Sequence, residues 1–135
     1  PAEKLYALMS LCDVFVSLHR SEGFGFPIAE AMALGLPAVV TGYSGNMDFC
    51  TPENSVCVGY TLRPLGEAAV PPYGSEQLWA EPDIPAAARA LRRLHEDRAY
   101  RQALGLAGQA AVRERCSAEN CFRFLRTALE ESEAP

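Results

Sequence analysis

The first half of the chain is short of positive charge: residues 1–67 carry 3 basic side chains against 7 acidic ones, and the whole chain has 12 against 17, a net charge of −5. A surface that lives on nucleic-acid phosphates needs the opposite balance, so no nucleic-acid partner is expected. An anion bound by this half must be held by backbone dipoles or by cations from elsewhere. The five cysteines, Cys12, Cys50, Cys57, Cys116 and Cys121, include no Cys-x-x-Cys pair and no Cys/His cluster of metal-ligand spacing. That speaks against a bound metal, and the odd total points to a reducing, cytosolic setting. No apolar run approaches the ~18–20 residues of a membrane span, and the basic-then-apolar layout of a signal peptide is missing. No fixed-period repeat or low-complexity stretch interrupts the chain. It begins at Pro1, inside what reads as the approach to a helix, and is expected to be a piece of a larger protein.

What is present is a globular composition, 135 residues with 49% apolar and 21% charged side chains, enough for one domain with one packed core. Leu5, Leu8, Met9 and Cys12 fall at helical spacing before a strand-like run, 13–18. Pro27 opens and Gly35 closes a two-turn helix, since proline fits the first helical turn and glycine the position just past the last. Further strands are expected over 37–41 and 55–60, with one helical turn at 47–50. Apolar strands alternating with helices imply an α/β, Rossmann-like parallel sheet that binds ligands beyond its strands' carboxyl ends. Residues 61–82, proline-rich, are expected to be irregular, with Tyr73 and Trp79 as anchors. Three helices follow from Asp83 onward, laid over the sheet; Phe122, Leu125 and Leu129 are expected in the core, and Cys116 and Cys121 as buried thiols.

The chemistry concentrates in Ser21-Glu22-Gly23-Phe24-Gly25-Phe26-Pro27 and the helix that follows. Gly23 and Gly25 let backbone approach a ligand, and the helix start offers free N–H groups and a partial positive charge. This is an anion cradle. Glu22 and Glu30, with seven residues between them, place a carboxylate at each side of it, and carboxylates accept hydrogen bonds from vicinal hydroxyls. Amides for phosphate flanked by carboxylates for hydroxyls suit a nucleotide sugar. Taken alone, two glutamates are usually solvated surface charges and two glycines a tight turn. His19 reads equally as a pocket residue or a hydrogen-bonded structural one. Arg20 reads as paired with a neighbouring carboxylate such as Glu22 rather than with phosphate. Asn46 and the Ser44–Gly45 turn could offer amides or simply turn chemistry, and Asp48 reads as structural.

The stretch 13–27 resembles the strand-to-signature passage of the retaining GT-B glycosyltransferases of family 4 (group 1), with its Glu-x7-Glu motif. Residues 35–41 resemble that family's next strand, and 44–49 and 79–83 later landmarks of a bacterial branch acting on cell-surface polysaccharides. The resemblance implies that the chain is the C-terminal, nucleotide-sugar-binding domain, residues 1–135, of an enzyme that transfers a sugar with retention to a glycan or lipid-linked acceptor. Glu22, the one residue it places among the catalytic groups, would contact hydroxyls of the transferred sugar, and Glu30 the ribose. The backbone of Gly23, Phe24, Gly25 and Phe26 would lie against the diphosphate and sugar. No covalent nucleophile is implied; the leaving phosphate would assist the acceptor. The chain has no Asp-x-Asp motif, in keeping with a route that uses neither metal nor other cofactor. The acceptor domain and the first strands of this domain, with their diphosphate-binding Arg and Lys, would lie outside the chain, so it is expected not to turn over alone. The expected setting is cytoplasmic, any attachment at the inner membrane face falling to the absent domain. A nucleotide-sugar epimerase of the same architecture and a non-catalytic nucleotide-sugar-binding module are the alternatives.

Overall fold

The computed structural model describes residues 2–132. In chain order it has α1 (Ala2–Met9), β1 (Phe15–Ser17), α2 (Phe26–Ala33), β2 (Ala38–Thr41), a 3-10 turn (Gly45–Asp48), β3 (Val56–Val58), β4 (Tyr60–Pro64), β5 (Leu78–Pro82), α3 (Ile84–Glu96), α4 (Arg98–Arg115) and α5 (Ala118–Ser132), with a second 3-10 turn at Gly66–Ala68. β1, β2 and β3 form a parallel sheet with β2 in the middle. The fold is the α/β class expected, a parallel sheet flanked by helices. Among the described residues no helix is long and apolar enough to cross a membrane.

The four residues of β2 are all buried, because helices cover both faces of the sheet and successive side chains point to opposite faces. Ala38 and Val40 pack with Ile28, Ala29 and Met32 of α2 and Val112 of α4. Val39 points the other way, onto Ala87 and Leu94 of α3 and Leu104 of α4. α4 thus touches both clusters and closes the domain. It comes very near the chain reversal after α2: a Cβ on Gly105 would collide with the Gly35 carbonyl oxygen. Gly35 itself has φ +83°, the left-handed conformation that ends a helix at little cost only for glycine. Gln109 of α4 donates its side-chain amide to the Ala33 carbonyl at 2.9 Å, satisfying an end group of α2. α3 and α4 each start on an aspartate cap, Asp83 to the Ala86 amide and Asp97 to the Tyr100 amide.

The buried Cys50 gives a chemical check on this packing. Burial pushes its thiol from 9.0 up to about 11, against the opposing hydrogen bonds of Ser55 and Asn46. An acid whose folded value is raised contributes stability that is complete below the unfolded value and lost as pH climbs through the folded one. Stability is therefore expected to fall between pH 9 and about 11, and Cys50→Ala to flatten that part of the curve. Chemical denaturation at pH 7.5, 9 and 10.5 checks it; equal slopes in both proteins would remove thiol burial as the cause.

Five expectations are corrected. Residues 61–82 are not all irregular: β4 and β5 pair antiparallel from Tyr60↔Pro82 to Pro64↔Leu78. Pro64 and Pro82 sit at the outer ends of that two-stranded ladder, where a missing N–H costs least. Tyr60 accordingly belongs to β4 and not to β3. Phe122, Leu125 and Leu129 are not core but 73%, 57% and 64% exposed, because α5 contributes to none of the buried clusters around the sheet. Cys116 and Cys121 are likewise exposed, one at the end of α4 and the other in α5. The expected turn at 47–50 is the 3-10 turn Gly45–Asp48.

Candidate functional site

The loops that follow β1 and β2 lie side by side at the carboxyl ends of two adjacent parallel strands. Three kinds of contact bind them together. The Glu22 amide donates to Ser44 Oγ at 2.8 Å, and the Gly45 amide donates back to the Glu22 carbonyl at 3.1 Å. Ser44 reaches this position with φ +69°, a backbone strain that the paired bonds hold in place. His19 completes the lock: its Nε2 lies 3.0 Å from Asn46 Oδ1 and 3.1 Å from the Tyr43 carbonyl. The Tyr43 carbonyl can only accept, so the bond there is a donation from Nε2, while Nδ1 lies 3.2 Å from the Ser17 carbonyl and 3.3 Å from Ser17 Oγ. Asn46 is fully buried and donates to the Thr41 carbonyl at 3.0 Å.

His19 is therefore engaged on both ring nitrogens, which favours its structural reading over a pocket role. His19→Ala should cost about 1–3 kcal/mol, the price of a buried amide oxygen left without its donor. Thermal or urea unfolding measures this, and an unchanged midpoint would show that the lock contributes nothing.

Glu22, half-buried, is aimed by this backbone frame. The amides of Gly23, Phe24, Gly25 and Phe26 donate to no acceptor among the described residues. Gly25, with φ +88°, caps the start of α2, and a Cβ there would press on Ile28 Cδ1 at 3.1 Å. Phe24 anchors the loop by packing on Phe49, ring centroids 5.1 Å apart, while Phe26 is 70% exposed. Glu30, in the second turn of α2, is half-buried and accepts a 2.9 Å hydrogen bond from Tyr6 of α1. That bond, with the negative charge behind it, holds the Tyr6 hydroxyl above its ordinary pKa of 10.0.

Tyr6 is the residue that sequence reasoning missed. Its only signal was a polar-tipped aromatic beside the apolar positions Leu5, Leu8 and Met9 of a helical stretch. Arg20 is paired as expected, but with a different partner: it forms a two-pronged ion pair with Glu81 of β5, at 2.9 and 3.1 Å, and lies 4.7 Å over the Trp79 ring. The Ala80 amide also donates to the Arg20 carbonyl at 3.0 Å. Glu22 does not take Arg20 because the hairpin, unseen in the sequence, brings Glu81 to it. Asp48 is exposed and caps no helix; the turn's cap position is Ser44. Among the described residues no group of three or more His, Cys, Asp or Glu is placed to hold a metal ion.

Free amides at a glycine turn, entered from a parallel strand and flanked by two carboxylates, define an α/β domain of the kind that holds phosphorylated, hydroxyl-rich ligands at its strand ends. The family of glycosyl transferases group 1 matches residues 1–111, and the chain belongs to it. It is a glycosyltransferase domain. No curated protein matches the chain.

Proposed function

We propose that the domain, residues 1–135, binds the nucleotide-sugar donor of a retaining, family 4 glycosyltransferase of the GT-B type, with Glu22 and Glu30 as its Glu-x7-Glu motif. The observation that carries this reading is the run of unengaged amides from Gly23 to Phe26 with a carboxylate at either end. A diphosphate fits the amides, since N–H groups and the helix dipole favour negative charge without needing a metal. Glu30, already oriented by Tyr6, accepts from the ribose diol. Glu22, aimed by Ser44 and Gly45, meets the transferred hexose. The bond from the sugar's anomeric carbon to the phosphate oxygen breaks, that oxygen staying with the departing diphosphate, while the acceptor's hydroxyl oxygen bonds to the same face of that carbon and gives its proton to the departing phosphate, so that configuration is retained. The acceptor is a glycan or a lipid-linked sugar of bacterial polysaccharide assembly, held largely by a second domain. The setting is the cytoplasm, at or near the membrane's inner face.

Calorimetric titration with UDP, GDP, ADP and TDP and their sugar conjugates tests the reading. Saturable binding of one base series, with the sugar conjugate bound differently from the bare diphosphate, is expected. Equal and unsaturable responses to all four would overturn it.

A further inference from the structure

A cavity of 610 Å³ lies between the β4–β5 hairpin and the start of the signature loop. It is lined by Ser21 on the loop side and by Val70, Tyr73, Gln77, Leu78 and Trp79 on the hairpin side. The size is that of small-molecule sites, which are mostly apolar with a few polar groups that orient the ligand. Three properties narrow the occupant.

First, among the described residues no charged side chain lines the cavity, and Arg20, stacked on Trp79, is paired with Glu81, so a diphosphate would enter without free counter-charge at a large desolvation cost. The ligand is neutral. Second, Tyr73, Leu78 and Val70 are 62%, 52% and 66% exposed, an apolar surface turned into a concavity, while Gln77, Ser21 and the Tyr73 hydroxyl supply donors and acceptors. A pyranose ring matches both: its C–H faces pack on aromatic rings and its edges carry hydroxyls. Third, the cavity adjoins the Glu22 end of the loop, and no residue of α1 or α2 lines it. A nucleoside held through Glu30 lies toward Tyr6 and α1, away from the hairpin. The hairpin's position is set by the Arg20–Glu81 ion pair, the stacked Trp79 and the Ala80–Arg20 backbone bond.

We propose that this cavity is a subsite for a neutral sugar ring of the acceptor, seated on Tyr73 and Trp79 beside the carboxylate that meets the transferred sugar. The proposal rests on the reading of Glu22 given above and extends it to the second substrate. Trp79 is the only tryptophan of the chain, so its emission reports the cavity directly. The experiment titrates the 135-residue chain with the methyl glycosides of glucose, galactose, mannose, rhamnose and N-acetylglucosamine, followed by Trp79 fluorescence and saturation-transfer NMR. At least one glycoside should give a saturable response. Tyr73→Ala, with the dichroism of the parent, should weaken it about tenfold, the size of one aromatic stacking contact, whereas Tyr73→Phe should keep it. The proposal is overturned if no glycoside saturates, if Tyr73→Ala responds as the parent does, or if uridine or guanosine displaces the glycoside, which would make the cavity a base pocket. A parallel titration with the nucleotide and its sugar conjugate separates the readings: glycoside binding without nucleotide binding sinks the donor site alone, the reverse sinks the acceptor subsite alone, and displacement of the glycoside by the sugar conjugate but not by the bare nucleotide makes the cavity the transferred sugar's pocket and overturns the proposal.

Discussion

Glu30→Ala is expected to weaken nucleoside-diphosphate binding on the order of tenfold to a hundredfold, since a hydrogen bond to a charged acceptor contributes about 1.5–3 kcal/mol. The loss should depend on the ribose diol. A 2′,3′-dideoxy nucleotide, which has nothing to give the carboxylate, should bind parent and variant alike. Tyr6→Phe acts on the same carboxylate from behind: Tyr6 donates to one oxygen at 2.9 Å and so restricts the rotation of Glu30. Its loss should cost about threefold to tenfold, the worth of one modest hydrogen bond, again only toward ligands that carry the diol. Calorimetry on the six combinations of the three proteins with the two ligands checks both statements. A Glu30→Ala variant that loses the dideoxy ligand equally would remove the ribose role and leave only a general effect on the loop.

Gly45→Ala should be the most damaging single methyl in the site. A Cβ there would collide with the Gly23 carbonyl and crowd the Glu22 carbonyl at 3.1 Å. Backbone cannot yield as a flexible side chain does, so either the signature loop moves or the bond from the Gly45 amide to Glu22 breaks. Stability should drop by about 1–3 kcal/mol, the usual cost of overpacking. Donor binding should fall more steeply, because the displaced residues include Glu22 and the free amides beside it. Gly59→Ala serves as the control: nothing lies within 4 Å of its would-be Cβ, and both melting temperature and affinity should stay as they are. If Gly45→Ala melts and binds like the parent, the two loops are not coupled as the geometry says.

Much of the site was legible in the chain because it is local. Gly23, Gly25, Pro27 and Glu30 lie within eight residues of one another, and their backbone chemistry follows from residue type: a glycine at φ +88° caps α2 at Gly25, with Pro27 in the first turn. The misses share a cause. Tyr6 meets Glu30 across 24 positions and Arg20 meets Glu81 across 61, and no periodicity signals a partner at such a distance. β4 and β5 were missed for a similar reason, since the ladder joins strands separated by a 13-residue excursion rather than a tight turn. For Phe122, Leu125 and Leu129 the spacing correctly indicated a helix with an apolar side, but amphipathicity does not say whether that side meets this domain's body.

By itself, then, the amino-acid order determined the alternation of strands and helices, the glycine turn and the two carboxylates that flank it, because each depends on contacts a few residues apart. The tertiary structure alone decided the rest. It set which loop braces which, through Ser44, Gly45 and His19; which side chain holds Glu30; and where the β4–β5 hairpin stands to form a neutral cavity at Ser21. Those depend on surfaces brought together only when α3 and α4 close over the two faces of a buried strand, and burial is a property of the folded whole.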